Sequence, residues 1–498
     1  MKRTEKVDKA LRAIRWLSDP AILERMGVTG KKRVSDLLPA EADKHVADGV
    51  FVSAEESKIL AWVIAFPLVE VKKQRMRSIG WTKEMNDAIW RQQYSDIDPD
   101  APWTPHLPNV PVQRQQVHDG VRAACFDLSC GFFQLALSEA IRPYFGVQDS
   151  SGRIFTYARL PMGFTMSVSI LQAILEVLAD AASAGLPVTN QVYVDNVRFV
   201  GAEGPLKQAV ARWKGLCKTF GFTLNNEESN VPHVSGPHMG IYYDYQAGTV
   251  RIADQNVEKL KEARTCLFAA NPSIEDMQIA FGLLFWGSEV LQTDISQYYF
   301  AMKWYSRRLS SVAGLSPYAQ ASAPAGSIWA SARRDLEAWF GRVITNTQVI
   351  PAKSHKVAEF TLWTDSSSKG FGSVLLNRVT GEISWHMGQW DSDLLWQHIN
   401  VKELRALSIA ISHWSATIGD APVSILIDNT SARYAIRKGF SGSLPMNQGL
   451  SDILPKLSAL AVVAISHVTS ADNLADLPSR GSPPDPCAVA VWSQRAFG

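Results

Sequence analysis

The chain has 498 residues, 46% of them hydrophobic and 20% charged, with a formal net charge of +2. This length exceeds what one core organises and suits roughly two to four domains of ordinary globular composition. No apolar stretch is long and uncharged enough to read as a membrane span. The charged start, Met1-Lys2-Arg3-Thr4-Glu5-Lys6, lacks the apolar core of a secretory signal. Cys125, Cys130, Cys217, Cys266 and Cys487 are scattered without CxxC pairs, which argues against a disulfide framework and a structural zinc site. The expected setting is reducing and intracellular, nuclear or cytoplasmic, with no membrane partner. The net charge neither demands nor excludes nucleic acid. The local cluster Lys72-Lys73-Gln74-Arg75-Met76-Arg77 suits phosphate contact, and taken alone it equally suits a solvated loop.

In chain order, residues 7–17 and 54–65 read as helical stretches among polar loops. From 111 to about 245, short β-like runs alternate with a strong helix at 167–182. Residues 254–308 turn helical, with Met277, Phe281, Leu284 and Phe285 at helix spacing. A stretch rich in Ser, Ala, Pro and Gly at 311–327 reads as a linker, followed by a helix at 328–343. Strands and helices resume from about 357 to 480. The pattern is a large α/β domain, a helical middle and a smaller α/β domain.

Two groups of acids stand out. In the apolar run Ala124-Cys125-Phe126-Asp127-Leu128, Asp127 calls for a partner or a metal, because a buried lone carboxylate is costly. Residues 191–200 read as two strands around an Asp195-Asn196 turn, a pair that by itself needs no chemistry. Between them lies Tyr157-Ala158-Arg159-Leu160-Pro161-Met162-Gly163-Phe164, where Gly163 permits close backbone approach just before a helix. After the hairpin come Gly221-Phe222-Thr223-Leu224-Asn225 and His238-Met239-Gly240-Ile241.

In the second group, Asp365 ends the strand-like run that starts at Phe360, and Asp428 ends the run that starts at Val423. Glu403 lies early on a helix whose Leu404, Leu407, Ile411 and Trp414 recur at helical spacing. Ile465-Ser466-His467-Val468 precedes Asp472-Asn473-Leu474-Ala475-Asp476-Leu477-Pro478-Ser479-Arg480. Acids at strand ends and early on a helix can converge at one sheet edge, where they repel unless cations bind. Singly, Glu403 also suits a helix start, Asp428 a helix cap, and His467 a structural role.

In order, spacing and residue type these segments resemble a retroelement reverse transcriptase fused to RNase H, in the manner of DIRS-like (tyrosine-recombinase) elements and their vestigial relatives. The implied fold class is multidomain α/β (α+β): a right-hand polymerase with fingers, palm and helical thumb or connection, then an RNase H-like domain. The implied boundaries are an N-terminal extension at 1–65, fingers and palm at 66–245, thumb and connection at 246–350, RNase H at 355–485 and a tail at 486–498. Phe126-Asp127 with Gly131-Phe132 matches the first palm motif, Leu160-Pro161-Met162-Gly163 through Gln172 the LPxG…Q motif, and Tyr193-Val194-Asp195-Asn196 the YxDD signature.

By that resemblance Asp127 and Asp195, with Asn196 beside them, form the polymerase centre. Phe132 lies under the incoming sugar, Lys73, Arg75 or Arg77 hold the triphosphate, and Gly163 and Gln172 line the nucleotide side. Asp365, Glu403, Asp428 and Asp476 match the nuclease quartet. The implied cofactor is Mg²⁺ or Mn²⁺, two ions per site, and the implied partners are an RNA template, a DNA primer, dNTPs and an RNA–DNA hybrid. His467 is read as structural or as an aid to product release. Three departures stand against the polymerase: Asn196 replaces the second YxDD acid, Val168 a proline, and Glu228 a lysine. A neutral amide is a poorer ligand for a hard cation, so the expectations are an active polymerase with RNase H, a nuclease alone, or a degenerate or domesticated nucleic-acid-binding copy.

Overall fold

The computed structural model describes residues 5–27, 32, 35–70, 75–92, 98, 100–226, 228–351, 353 and 357–497. Among them no helix is long and apolar enough to cross a membrane. The chain divides into two compact units, Met1–Gly236 and Pro237–Gly498. The fold class is multidomain α/β, as the sequence indicates.

The first unit carries β1 (Phe51–Ser53), β2 (Ile64–Glu70), β3 (Arg75–Trp81), β4 (Arg122–Asp127), β5 (Gly146–Gln148), β6 (Ile154–Tyr157), β7 (Val188–Tyr193) and β8 (Asn196–Gly201). The central antiparallel sheet runs β4-β8-β7. In β4 only the two ends escape burial, since Ala123, Ala124, Cys125 and Phe126 are all buried. Such an unbroken run means that both faces of the strand are covered. The helices Ser167–Ser183 and Glu203–Phe220 pack on this sheet, and Trp213 meets Phe126 and Phe199 with ring centroids 6.2 and 5.7 Å away. Ala13, Trp16 and Leu17 of the N-terminal helix Glu5–Ser18 enter the same core.

Residues 54–65, expected to be helical, form only the 3-10 turn Glu56–Lys58 before the chain extends into β2. The reason is tertiary: β2 pairs in register with β3, Ile64 opposite Trp81 and Phe66 opposite Ile79, and this pairing overrides a short helical pattern.

β9 (Ser235–His238) falls at the division in sequence. The second unit then has a hairpin of β10 (Ile241–Asp244) and β11 (Thr249–Ile252), followed by the helices Asp254–Leu267, Ile274–Leu291, Tyr299–Val312 and Ala330–Thr345. Phe281, Trp304, Tyr305 and Trp339 form their aromatic centre. The stretch 311–327 differs from the expected linker. It contains the helix Pro317–Ser322, and its end is stitched to the helical block by Ile274 N donating to Ala323 O at 2.7 Å and Trp304 Nε1 to Ser327 O at 3.0 Å. Small residues let the chain pass close to the helices, so its composition imitates a free connector.

The C-terminal sheet consists of β12 (Phe360–Ser366), β13 (Gly370–Asn377), β14 (Ile383–Gln389), β15 (Val423–Ile427) and β16 (Val462–His467), in the order β14-β13-β12-β15-β16. β12 is antiparallel to β13 and parallel to β15, which is parallel to β16. That is an RNase H-like arrangement, with the helix Ile399–Ile418 carrying the chain towards the parallel β15, as a parallel neighbour requires. Every residue of β12 is buried. Leu404, Leu407, Ile411 and Trp414 of the helix meet Leu362, Leu375 and Ile425 of the sheet in one core.

Candidate active site

The central strand β12 delivers Asp365 at its end, and the adjacent parallel β15 delivers Asp428 just beyond its end. The helix Ile399–Ile418 lays Glu403, in its first turns, over the same edge. One carboxylate oxygen from each of these residues lies within 4.8 Å of the others. Asp365 is 4% exposed and Glu403 5%. Burial pushes the Asp365 carboxyl up to about 6, reinforced by the charges of Asp428 and Asp476. Burial, then Asp365, pushes Glu403 up to about 8.

Neutral donors hold the acids. Ser366 Oγ donates to Glu403 Oε1 at 2.8 Å and Ser470 Oγ to Asp428 Oδ2 at 2.8 Å. Asn473 Nδ2 donates to Thr364 O at 3.2 Å, which keeps it beside Asp365. The second oxygen of Glu403 is buried without a hydrogen-bond partner among the described residues. An all-oxygen donor set with an orphaned, buried carboxylate oxygen fits a hard divalent cation. The helix following β15 takes its cap from Asn429, whose Oδ1 accepts from Ala432 N at 2.8 Å, so Asp428 is not spent as a cap.

Asp476 stands apart from this group. It opens the short helix Asp476–Ser479, and both its oxygens accept from Arg480, from Nη2 at 2.9 Å and Nε at 3.1 Å. His467 ends β16 opposite Ile427 and is exposed. Sequence reasoning gave no role to Ser366, Ser470, Arg480 or Lys402. Lys402 is 3% exposed and donates to Ser368 O and Leu395 O, both at 2.9 Å, pinning the turn after β12 and the end of the helix Ser392–Leu395. Its position next to Glu403 was the available signal.

In the first unit, Asp127 ends β4 directly opposite Asn196, the first residue of β8. The hairpin turn is Val194-Asp195 and not the expected Asp195-Asn196, because Tyr193 pairs with Asn196. Val194 takes a left-handed φ of 57°, which is strained for a β-branched residue. Gln172 braces that turn: its Oε1 accepts from Val194 N at 2.7 Å and its Nε2 donates to Val192 O at 3.0 Å. It is 2% exposed, so its amide serves the hairpin backbone. Asn196 Nδ2 donates to Asp195 Oδ1 at 3.1 Å, and Asn225 Nδ2 to Asp127 Oδ2 at 2.5 Å. The structure therefore brings Asp127, Asp195 and Asn196 to one sheet end.

Phe132, in the 3-10 turn Gly131–Gln134, is half-buried against the core of this unit. Gly163 has φ 110°, and a Cβ there would sit 2.7 Å from Gly80 O. That contact presses the loop after Leu160 against β3, with Gly80 N donating to Met162 O at 2.8 Å. Lys73 lies outside the described residues. Arg75 and Arg77 are placed only as backbone positions of β3, and Glu228 only as part of the turn Glu228–Asn230.

No protein-family model matches the chain, and no curated protein matches it. Among solved structures, a foamy viral protease-reverse transcriptase dRH in complex with double-stranded DNA is similar at TM-score 0.48 and 12% identity, covering 89% of this chain and 71% of that one. The foamy viral protease-reverse transcriptase in complex with an RNA/DNA hybrid gives 0.47 and 12%, covering 89% of this chain and 55% of that one, so this chain spans about half its length. The same kind of protein in complex with double-stranded DNA gives 0.46 and 12%, covering 90% and 92%.

Proposed function

We propose that the chain is a retroelement reverse transcriptase–RNase H of DIRS-like affinity whose nuclease centre is the better equipped of its two sites. The observation that carries this reading is the buried convergence of Asp365, Glu403 and Asp428 with an orphaned Glu403 oxygen. Residues 66–245 are assigned to fingers and palm, 246–350 to thumb and connection, and 355–485 to RNase H. The substrate of the nuclease is the RNA strand of an RNA–DNA hybrid. RNA template, DNA primer and dNTPs belong to the palm.

Asp365, Glu403, Asp428 and Asp476 would hold Mg²⁺ or Mn²⁺. The bound cations would supply Lewis-acid activation of water and stabilisation of the leaving oxygen. The protein's own part is to fix the acids: Ser366 orients Glu403, Ser470 orients Asp428, and Asn473 keeps the loop of Asp476 against the end of β12. In the palm, Asp127 and Asp195 are the acids present, and Asn196 presents an amide where the family signature has a carboxylate. A nuclease with a weakened polymerase is therefore favoured over a polymerase of full strength.

The test is cleavage of a labelled RNA–DNA hybrid by the full chain in Mg²⁺ and in Mn²⁺. Wild type is expected to cut, and Asp365→Asn to lose at least about 10²-fold in rate, as deletion of a preorganised charge commonly does. A wild-type protein that binds the hybrid and leaves it intact in both metals overturns the reading.

A further inference from the structure

We propose that Arg480 is a built-in competitor for the second metal ion: it holds Asp476 in a closed ion pair, and that acid joins the nuclease centre only when the pair opens. The inference rests on the nuclease reading and adds an order of metal loading to it. Of the four acids, three already share a space within 4.8 Å. Glu403, 5% exposed, has a buried oxygen with no hydrogen-bond partner among the described residues. Those three are ready for one cation. The fourth has both oxygens occupied by a guanidinium, side-on and bidentate.

The pair lies close to the end of β12, since Ser479, between Asp476 and Arg480, accepts through its carbonyl from Ser367 Oγ at 2.7 Å. Arg480 thus neutralises the one acid of the four that lies outside the triad. Its side chain is 62% exposed and that of Asp476 32%. An ion pair so exposed alters an equilibrium by no more than about fivefold, so a divalent cation at working concentration can open it. Geometry favours reopening as well as closure. Asp476 and Arg480 flank a single turn of helix, so release needs side-chain rotation and no movement of the sheet.

The experiment is a calorimetric titration of Mn²⁺ into the full chain, with hybrid cleavage measured in parallel. Wild type is expected to bind in two phases, a tighter one lost in Asp365→Asn and a weaker one lost in Asp476→Asn. Arg480→Ala should strengthen the weaker phase about two- to fivefold, and Arg480→Lys, which cannot bind bidentately, should fall between. If Arg480 acted only as a nearby positive charge, Arg480→Ala would strengthen both phases alike and would still strengthen the tighter, remaining phase in Asp476→Asn. That result overturns the latch, as does a weaker phase unmoved by Arg480→Ala. In either case, wild-type cleavage together with Asp365-dependent Mn²⁺ binding leaves the nuclease reading standing. A wild type that neither binds Mn²⁺ nor cuts hybrid overturns both. Thermal melting of Arg480→Ala checks that this exposed substitution leaves the fold intact.

Discussion

At Glu403 the protein buries an acid whose second oxygen has no partner among the described residues, and the consequence is measurable as a dependence of stability on pH. Its folded pKa is raised from 4.5 to about 8, and that of Asp365 from 3.8 to about 6. Between those limits the folded state binds more protons than the unfolded state. Metal-free protein therefore loses stability as pH rises from about 4 to about 8, by an amount on the order of a few kcal/mol. Urea unfolding in a chelator at pH 5 and pH 8.5 should show this fall. In Glu403→Gln it should shrink and be complete near the folded value of Asp365. Added Mn²⁺ should restore the wild-type loss at high pH, releasing protons as it binds. A difference between wild type and Glu403→Gln that stays constant across this range contradicts the buried-acid account. In the first unit Asn196 stands opposite Asp127 and is hydrogen-bonded to Asp195. Asn196→Asp is expected to raise primer extension in Mg²⁺ by about 10²-fold, the typical worth of a preorganised charge. Extension that is efficient in wild type, or unchanged by the substitution, removes Asn196 as the cause of a weakened site.

At the scale of elements, the close packing of β13 against the helix Asp476–Ser479 sets how the fourth acid is presented. A Cβ on Gly372 would lie 2.4 Å from Ser479 N and 2.6 Å from Pro478 C, both backbone atoms that cannot swing aside. Gly372→Ala should lower stability by about 1–3 kcal/mol, the usual cost of overpacking. It should also depress hybrid cleavage at limiting Mn²⁺ more than at saturation, because it moves Asp476 and leaves the triad. Equal loss at both concentrations would mean that the sheet edge itself had shifted. The elements were legible in the sequence wherever local pattern and tertiary packing agree. Leu404, Leu407, Ile411 and Trp414 mark a helix, and the apolar runs before Asp365 and Asp428 mark strands. Pattern failed where packing alone decides. The chain after Ala54 looked helical until β3 claimed it as a strand partner, and the serine- and alanine-rich stretch after Val312 gave no sign of its stitching to Ile274 and Trp304. The hairpin turn shifted by one residue because the Tyr193–Asn196 pairing and the Gln172 brace fix it, and neither is visible in a dipeptide. Arg480 closes a sequence motif, yet its pairing with Asp476 depends on side-chain direction within one helical turn.

At the scale of the molecule, Asp365, Glu403, Asp428 and Asp476 and every donor that holds them lie in the unit Pro237–Gly498. That unit has its own hydrophobic cores. One lies between the sheet and the helices Ile399–Ile418 and Leu444–Ser458. Another surrounds Trp363 on the opposite face of β12, where Val374, Leu376, Val468 and Leu474 pack. The helical block before the sheet is joined to it within the same unit: Asn447 Nδ2 donates to Ser296 O, and Ser296 Oγ and Ser451 Oγ lie 2.8 Å apart. Stability of a domain follows from its own buried apolar surface, so residues 237–498 expressed alone should fold cooperatively, bind Mn²⁺ through Asp365 and cut hybrid. If the proposed function holds, what the fragment should lose is affinity for the hybrid, since phosphate contacts from the first unit would be gone. Cleavage rate at saturating hybrid should thus stay within about an order of magnitude of the full chain while the half-saturating concentration rises. A fragment that melts cooperatively and binds Mn²⁺ yet cannot cut at any hybrid concentration would place an indispensable part of the nuclease in the first unit.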